Sequence, residues 1–248
     1  MRRLARLVAL LACALVLGIA QAVVLCVVRG DHRVATVLPM RFHRAVVHLL
    51  GLHVCVDGVA SDAPRTAWVA NHLSYLDVPV LGARLPARFV AKDEVRGWPL
   101  FGVLSRLQRT VFIGRRRTDA AAALDAMSRA LVDGPGLVLF AEGTTSDGRD
   151  VRAFRSPVFA TLAAVGDVMV QPVTLAVAGP DAAARRAYAY IEDDMIASHL
   201  WRFLGRARTE LRLTLHPPVR ADALGSDRKA AAAHVRSIVA AALTAHDP

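Results

Sequence analysis

The chain has 248 residues, of which 54% are hydrophobic and 21% charged, and it carries a formal net charge of +10. That size and apolar content exclude wholesale disorder and suit one α/β domain with an accessory segment. The positive excess favours polyanions: nucleic acid, an anionic lipid surface or phosphorylated substrates. Lys92 and Lys229 are the only lysines, so nearly all the positive charge is arginine, and the arginine count alone marks no site. Cys13, Cys26 and Cys55 show neither metal-ligand spacing nor a disulfide framework, which suits a reducing compartment.

From Leu7 to Val28 the only strongly polar residue is Gln21. About 20 apolar residues suffice to cross a bilayer as a helix. Ala20-Gln21-Ala22 resembles a signal cleavage site, but the apolar run continues past it through Val28, which suits an anchor better. Arginines flank both ends (Arg2, Arg3 and Arg6 before, Arg29 and Arg33 after), so the orientation is left open. Residues 1–30 are therefore expected as a transmembrane or membrane-inserted helix. Thr36–Val56 mixes apolar residues with Arg41, His43, Arg44 and His48, and residues 31–57 are read as an interfacial helix and lead-in. An ordinary helix packed on the domain fits the same pattern. The long apolar run and the lack of a basic patch interleaved with aromatics argue against a nucleic-acid binder.

Residues 58–248 are expected to form the main domain. Apolar runs at 66–70, 88–91, 110–113, 136–140, 168–177 and 210–216 read as strands. Ser74–Arg84, Thr118–Leu131, Pro157–Val165 and Arg228–Leu243 read as helices between them. Such alternation predicts an α/β fold: a mixed, largely parallel sheet flanked by helices, with the N-terminal helix as membrane anchor.

The chemistry gathers at strand ends. Asn71, His72 and Asp77 follow the run 66–70. Neutral histidine can take a proton from a hydroxyl, and a nearby carboxylate fixes its tautomer. Ser74-x-x-Asp77 also has capping-box form, so the acid could simply serve the next helix. Glu142, Gly143 and Thr144 follow the run 136–140 in a polar loop, and Asp147-Gly148 beyond them is a turn signature. Arg115 comes first after the run 110–113, where a guanidinium fork suits phosphate.

These blocks together resemble the glycerophospholipid acyltransferase superfamily, specifically the bacterial 1-acylglycerol-3-phosphate acyltransferases. The resemblance rests on Asn71-His72 and, four residues on, Asp77; on Phe112-Ile113-Gly114-Arg115; on Phe140-Ala141-Glu142-Gly143-Thr144-Thr145; and on Gln171-Pro172-Val173, in family order. HLWRFLG (199–205) and DRK (227–229) look like a subgroup that includes lyso-ornithine lipid acyltransferases. Three positions depart from the family pattern: Gly114 for an acid, Ala141 for a proline, and Thr145 for an arginine often near the acceptor phosphate.

The resemblance implies O-acyl transfer from an acyl carrier protein or coenzyme A thioester to a lysolipid hydroxyl, without an acyl-enzyme. The acceptor expected is 1-acylglycerol-3-phosphate, with lyso-ornithine lipid as the alternative. His72 and Asp77 would be catalytic. Asn71, Arg115, Glu142, Gly143, Thr144 and Arg155 would bind the acceptor. No permanently bound cofactor and no metal are expected, and no nucleic-acid partner. An anionic membrane surface would be a partner, and the inner membrane with a cytoplasmic active site the location. A membrane-bound ester hydrolase and a non-catalytic lipid-binding protein are the competing classes, and the chain contains no G-x-S-x-G nucleophile elbow.

Overall fold

The computed structural model describes residues 1–28, 34–114, 120–179, 181–191 and 194–244. Two helices lead, α1 (Arg2–Val27) and α2 (Val34–Leu49). The domain then runs β1 (Leu52–Asp57), β2 (Thr66–Ala70), α3 (Asp77–Gly82), β3 (Arg88–Lys92), α4 (Phe101–Leu107), β4 (Val111–Ile113), α5 (Ala120–Val132) and β5 (Leu137–Phe140). It closes with α6 (Ser156–Val165), β6 (Met169–Val177), α7 (Ala182–Tyr188), α8 (Ile196–Phe203), β7 (Thr209–Leu215), β8 (Val219–Arg220) and α9 (Arg228–Thr244).

The strands join one sheet in the order β1-β7-β6-β2-β5-β3-β4, with β8 beside β6. The β1–β7, β2–β6, β2–β5, β3–β5 and β3–β4 pairs are parallel, whereas β7 and β8 run antiparallel to β6. The sheet is thus mixed and largely parallel, as the alternating pattern predicts. Helices cover both faces, so the inner strands are apolar on both sides and read as unbroken runs. All five residues of β2 are buried. Ala67 and Val69 point into a core with α5, α6 and α9, while Trp68 and Ala70 point into a second core with α3, α7 and α8. Each fully buried aliphatic side chain contributes about 1.5–3 kcal/mol. Trp68 keeps its indole N–H satisfied on Gln171 Oε1 at 2.8 Å.

Thr36–Val56 is not one helix. The chain turns at Gly51, whose φ of +69° favours glycine, and continues as β1. Only Leu52 of β1 is buried, and exposure alternates along it, the signature of a strand at a sheet edge. β1 pairs with β7 over Leu52–Asp57, so the sheet already begins before Gly58. The expected helix Ser74–Arg84 also shortens to α3, because residues 71–76 form the loop that carries the histidine. Among the described helices, α4, α7 and α8 are short and carry no repeating apolar pattern long enough to read.

The two leading helices pack on the domain. Gln21 of α1 is buried and donates to the carbonyls of Ala35 (2.8 Å) and Leu107 (3.1 Å). Arg2 donates to the Gly205 carbonyl and Arg6 to those of Leu204 and Arg206. Arg3 stacks over Trp201 at 5.8 Å. Leu4, Val8, Leu11, Leu15, Ile19 and Val23 form a fully outward stripe along α1. In α2, His43 is buried and bonded to Gln108 at 2.8 Å, beside Gly82 of α3. Burial lowers its pKa from 6.5 to about 4.

Candidate active site

β2 and β5 are neighbours with Ala70 opposite Phe140. His72 and Glu142 therefore leave the sheet side by side, at the carboxyl ends of two central parallel strands. This is where open α/β sheets place their sites.

His72 Nδ1 lies 2.7 Å from Asp77 Oδ2. Asp77 is fully buried, and His72 keeps 17% of its side-chain surface. The same Oδ2 accepts the amides of Leu73 (2.7 Å) and Ser74 (3.0 Å), and Oδ1 accepts the hydroxyl of Tyr188 at 2.9 Å. A carboxylate with four donors is held in one orientation. It accepts a hydrogen bond from Nδ1–H and leaves the lone pair on Nε2, which has no hydrogen-bond partner among the described residues. The imidazole stacks on Phe140 with ring centres 3.8 Å apart. The Ser74 amide bond is half of a capping box, while the Ser74 hydroxyl has no partner among the described residues. Asp77 thus closes the turn and holds the imidazole at once.

The backbone around His72 is fixed from three sides. Its amide donates to Glu142 Oε1 at 2.7 Å, and its carbonyl accepts the Ser146 amide at 2.8 Å. The Leu73 carbonyl accepts the Tyr190 amide at 2.9 Å. Asn71 is buried and pairs with the amide and the carbonyl of Leu175 on β6, both at 2.8 Å. It extends the sheet by one side-chain rung.

Two expected acceptor ligands, Asn71 and Glu142, have their polar atoms engaged within the protein. Asn71 faces β6, with both polar atoms used. Glu142 is buried, and its second oxygen accepts the Arg152 amide at 2.9 Å, so the carboxylate braces two loops. Burial raises the Glu142 pKa, and the amides of Arg152 and His72 offset part of that. Arg115 lies outside the described residues. Gly143 and Arg155 meet beside Glu142, and Thr144 follows Gly143 in the same loop. Gly143 has φ of +70°, and a Cβ there would overlap Arg155 Nε, so the guanidinium lies directly over the glycine. Arg155 and Thr144 are exposed, and Arg155 has no ion-pair partner among the described residues. Phe140, Ser146 and Tyr188 were given no site role in the sequence. Phe140 ends a readable strand, but nothing in "RRAYAYIE" marks Tyr188.

A histidine paired with a buried acid at the carboxyl ends of parallel strands is suited to moving a proton. The fold matches the crystal structure of the 1-acyl-sn-glycerophosphate acyltransferase PlsC from Thermotoga maritima, with a TM-score of 0.68 over 99% of this chain and 97% of that one at 22% identity. Residues 57–176 match the family described as Acyltransferase. A lyso-ornithine lipid O-acyltransferase from Brucella abortus is 35% identical over 218 residues, covering 83% of this chain and 81% of that protein. One from Pseudomonas aeruginosa is 37% identical over 190 residues, covering 75% and 71%. A 1-acyl-sn-glycerol-3-phosphate acyltransferase from Neisseria meningitidis serogroup B is 33% identical over 118 residues, covering 47% and 46%. The chain belongs to the lysophospholipid acyltransferase family. It is an enzyme, which sets aside the non-catalytic reading, and the family sets aside the hydrolase.

Proposed function

We propose that the protein transfers a fatty acyl group from a thioester to the free hydroxyl of a lysolipid, with His72 as general base. The observation that carries this is the 2.7 Å contact between His72 Nδ1 and buried Asp77, which leaves Nε2 bare. Nε2 takes the hydroxyl proton as the oxygen attacks the thioester carbonyl. The tetrahedral intermediate collapses, the C–S bond breaks, and the imidazolium returns the proton to the departing thiolate. Ester and free thiol are the products, and atoms and charge balance without a bound cofactor. A positioned base of this kind contributes roughly 10²–10⁴ in rate. In this reading Arg155, Thr144 and the Gly143 backbone meet the acceptor's polar head, a role supported by the exposure of both side chains.

The acceptor we favour is lyso-ornithine lipid. The relatives of that name span most of this chain, and Thr145 is neutral where a phosphate site would place an arginine. The glycerol-3-phosphate reading is supported by the Neisseria relative and by exposed Arg155. A matrix of purified protein with both lysolipids against carrier-protein and coenzyme A thioesters separates the two and names the donor. His72→Ala should abolish product while the protein stays folded and membrane-bound. Full activity in that variant removes the mechanism.

For the membrane, we propose that α1 lies along the near leaflet rather than crossing it. Its 26 residues span about 39 Å, enough for the roughly 30 Å core. Yet Arg2 and Arg6 are bonded to Gly205, Leu204 and Arg206, and Gln21 to Ala35 and Leu107, so both ends are tied to the domain. The outward stripe then faces acyl chains, and a lysolipid reaches His72 without leaving the membrane surface. A cytoplasmic location on the inner membrane is consistent with a thioester donor.

A further inference from the structure

We infer that Tyr188 is a positioning residue for the reaction: its buried hydroxyl sets how strongly Asp77 holds the His72 imidazole. The inference rests on the general-base reading of His72.

Tyr188 is the last residue of α7 and is wholly buried. It lies 111 positions from Asp77 in sequence and outside residues 57–176, where the family match ends. Its hydroxyl donates to Asp77 Oδ1 at 2.9 Å, on the side of the carboxylate opposite His72. The other donors to Asp77 are the Leu73 and Ser74 amides and His72 Nδ1, all on Oδ2. Oδ1 thus has Tyr188 as its one described partner, and a buried carboxylate oxygen without a donor carries a heavy desolvation cost. The ring is wedged against Phe203 at 6.1 Å, so the hydroxyl has little freedom to leave. Burial first, then Asp77, raises the Tyr188 pKa well above its ordinary value, so the phenol remains a proton donor across the working range.

The chain after Tyr188 strengthens the same hold. Tyr190 donates its amide to the Leu73 carbonyl at 2.9 Å, and the Ala189 carbonyl is 3.1 Å from His199 Nε2. His199 Nδ1 in turn lies 3.0 Å from the Tyr75 hydroxyl, within the His72–Asp77 loop. Residues 188–190 therefore grip that loop at three points. The consequence for chemistry is electrostatic. A donor on Oδ1 draws charge away from Oδ2 and weakens its stabilisation of the imidazolium. Removing it makes Asp77 a stronger partner, and the imidazole more basic. Among the described residues, Glu142 also acts on both His72 and Asp77, and Tyr75 acts on Tyr188.

Tyr188→Phe keeps the ring and deletes the hydroxyl. In full-length protein in detergent or vesicles, with an acyl thioester and a lysolipid that the parent accepts, kcat should fall about tenfold with KM unchanged, because Asp77 loses the contact that fixes its orientation. The acid limb of the rate profile should move to higher pH. Replacing Tyr188 by difluorotyrosine, which retains the fold and donates more strongly, should move that limb to lower pH and keeps the test open if the Phe variant does not fold. Phe203→Leu loosens the same packing without touching Asp77; it should lower Tm and leave the limb in place. If neither Tyr188 change moves the limb while His72→Ala is inactive, Tyr188 is merely structural and the inference is wrong. If His72→Ala is active, the general-base reading fails instead.

Discussion

Asp77→Asn separates an acid that works through the imidazole from one that only closes a turn. The amide oxygen can occupy the Oδ2 position, keeping the bonds from His72 Nδ1 and from the Leu73 and Ser74 amides at 2.7, 2.7 and 3.0 Å. Its NH2 then faces the Tyr188 hydroxyl, which can rotate to accept. The bonding pattern survives, so the fold should lose only about 1 kcal/mol, the usual worth of a cap. What disappears is the negative charge beside the imidazolium formed during the reaction. With charge centres roughly 4 Å apart and an effective dielectric of ~20, the lost attraction is about 4 kcal/mol, or on the order of 10³ in rate. Thermal melts and initial rates of ester formation, taken on the same preparation, measure both quantities. A variant within about threefold of the parent rate would refute the electrostatic role of Asp77, whatever its Tm.

Three further outcomes follow from the surrounding bonds. Asn71→Ala strands the amide and carbonyl of Leu175 and should cost about 2–4 kcal/mol, read as a lower Tm with the rate per folded molecule much less affected. Glu142→Ala frees the His72 amide, so it should lower both Tm and kcat; an unchanged kcat would show that this brace does not place the base. His43 has a folded pKa of about 4 against 6.5 unfolded, so the unfolded chain binds the extra proton between those values. Stability should therefore fall as pH drops from about 6.5 to 4, by about 3 kcal/mol, and His43→Gln should flatten that limb in pH-dependent melts.

The inner strands were legible because each is buried on both faces, which leaves an uninterrupted apolar run with polar residues at its exit. The His72–Asp77 pair was legible because both partners lie within one turn and their chemistry is specific. Asn71 and Glu142 were legible as positions but not as roles: each polar side chain faces inward, to Leu175 104 positions away and to the His72 and Arg152 amides. Tyr188 was illegible, since a lone tyrosine in a short helix has no signal until the fold brings it to Asp77. Thr36–Val56 misled because its apolar content hides a change of period at Gly51 from helix to strand. The leading arginines left the orientation of α1 open in the sequence; in the structure Arg2 and Arg6 satisfy carbonyls that follow α8, where a helix end is negative.

That docking decides how α1 meets the membrane, and it can be tested directly. A helix crossing the bilayer would carry Met1 to the side opposite the domain. A helix lying in the near leaflet keeps Met1 beside Gly205, on the domain's own side. A cysteine inserted directly after Met1, with Cys13, Cys26 and Cys55 replaced by serine, should react with an impermeant maleimide added from the domain's side of sealed vesicles. Labelling only from the far side would show that the arginine contacts do not survive in a bilayer. Replacing Arg2 and Arg6 by Ala then becomes informative in the other direction. It removes the tie at one end while the apolar stripe from Leu4 to Val23 is untouched, so membrane binding should persist while the hold of α1 on α8 loosens. Because α8 also carries His199, which meets the Tyr75 hydroxyl in the catalytic loop, a fall in kcat in that variant would mean that the membrane helix and the base are mechanically joined.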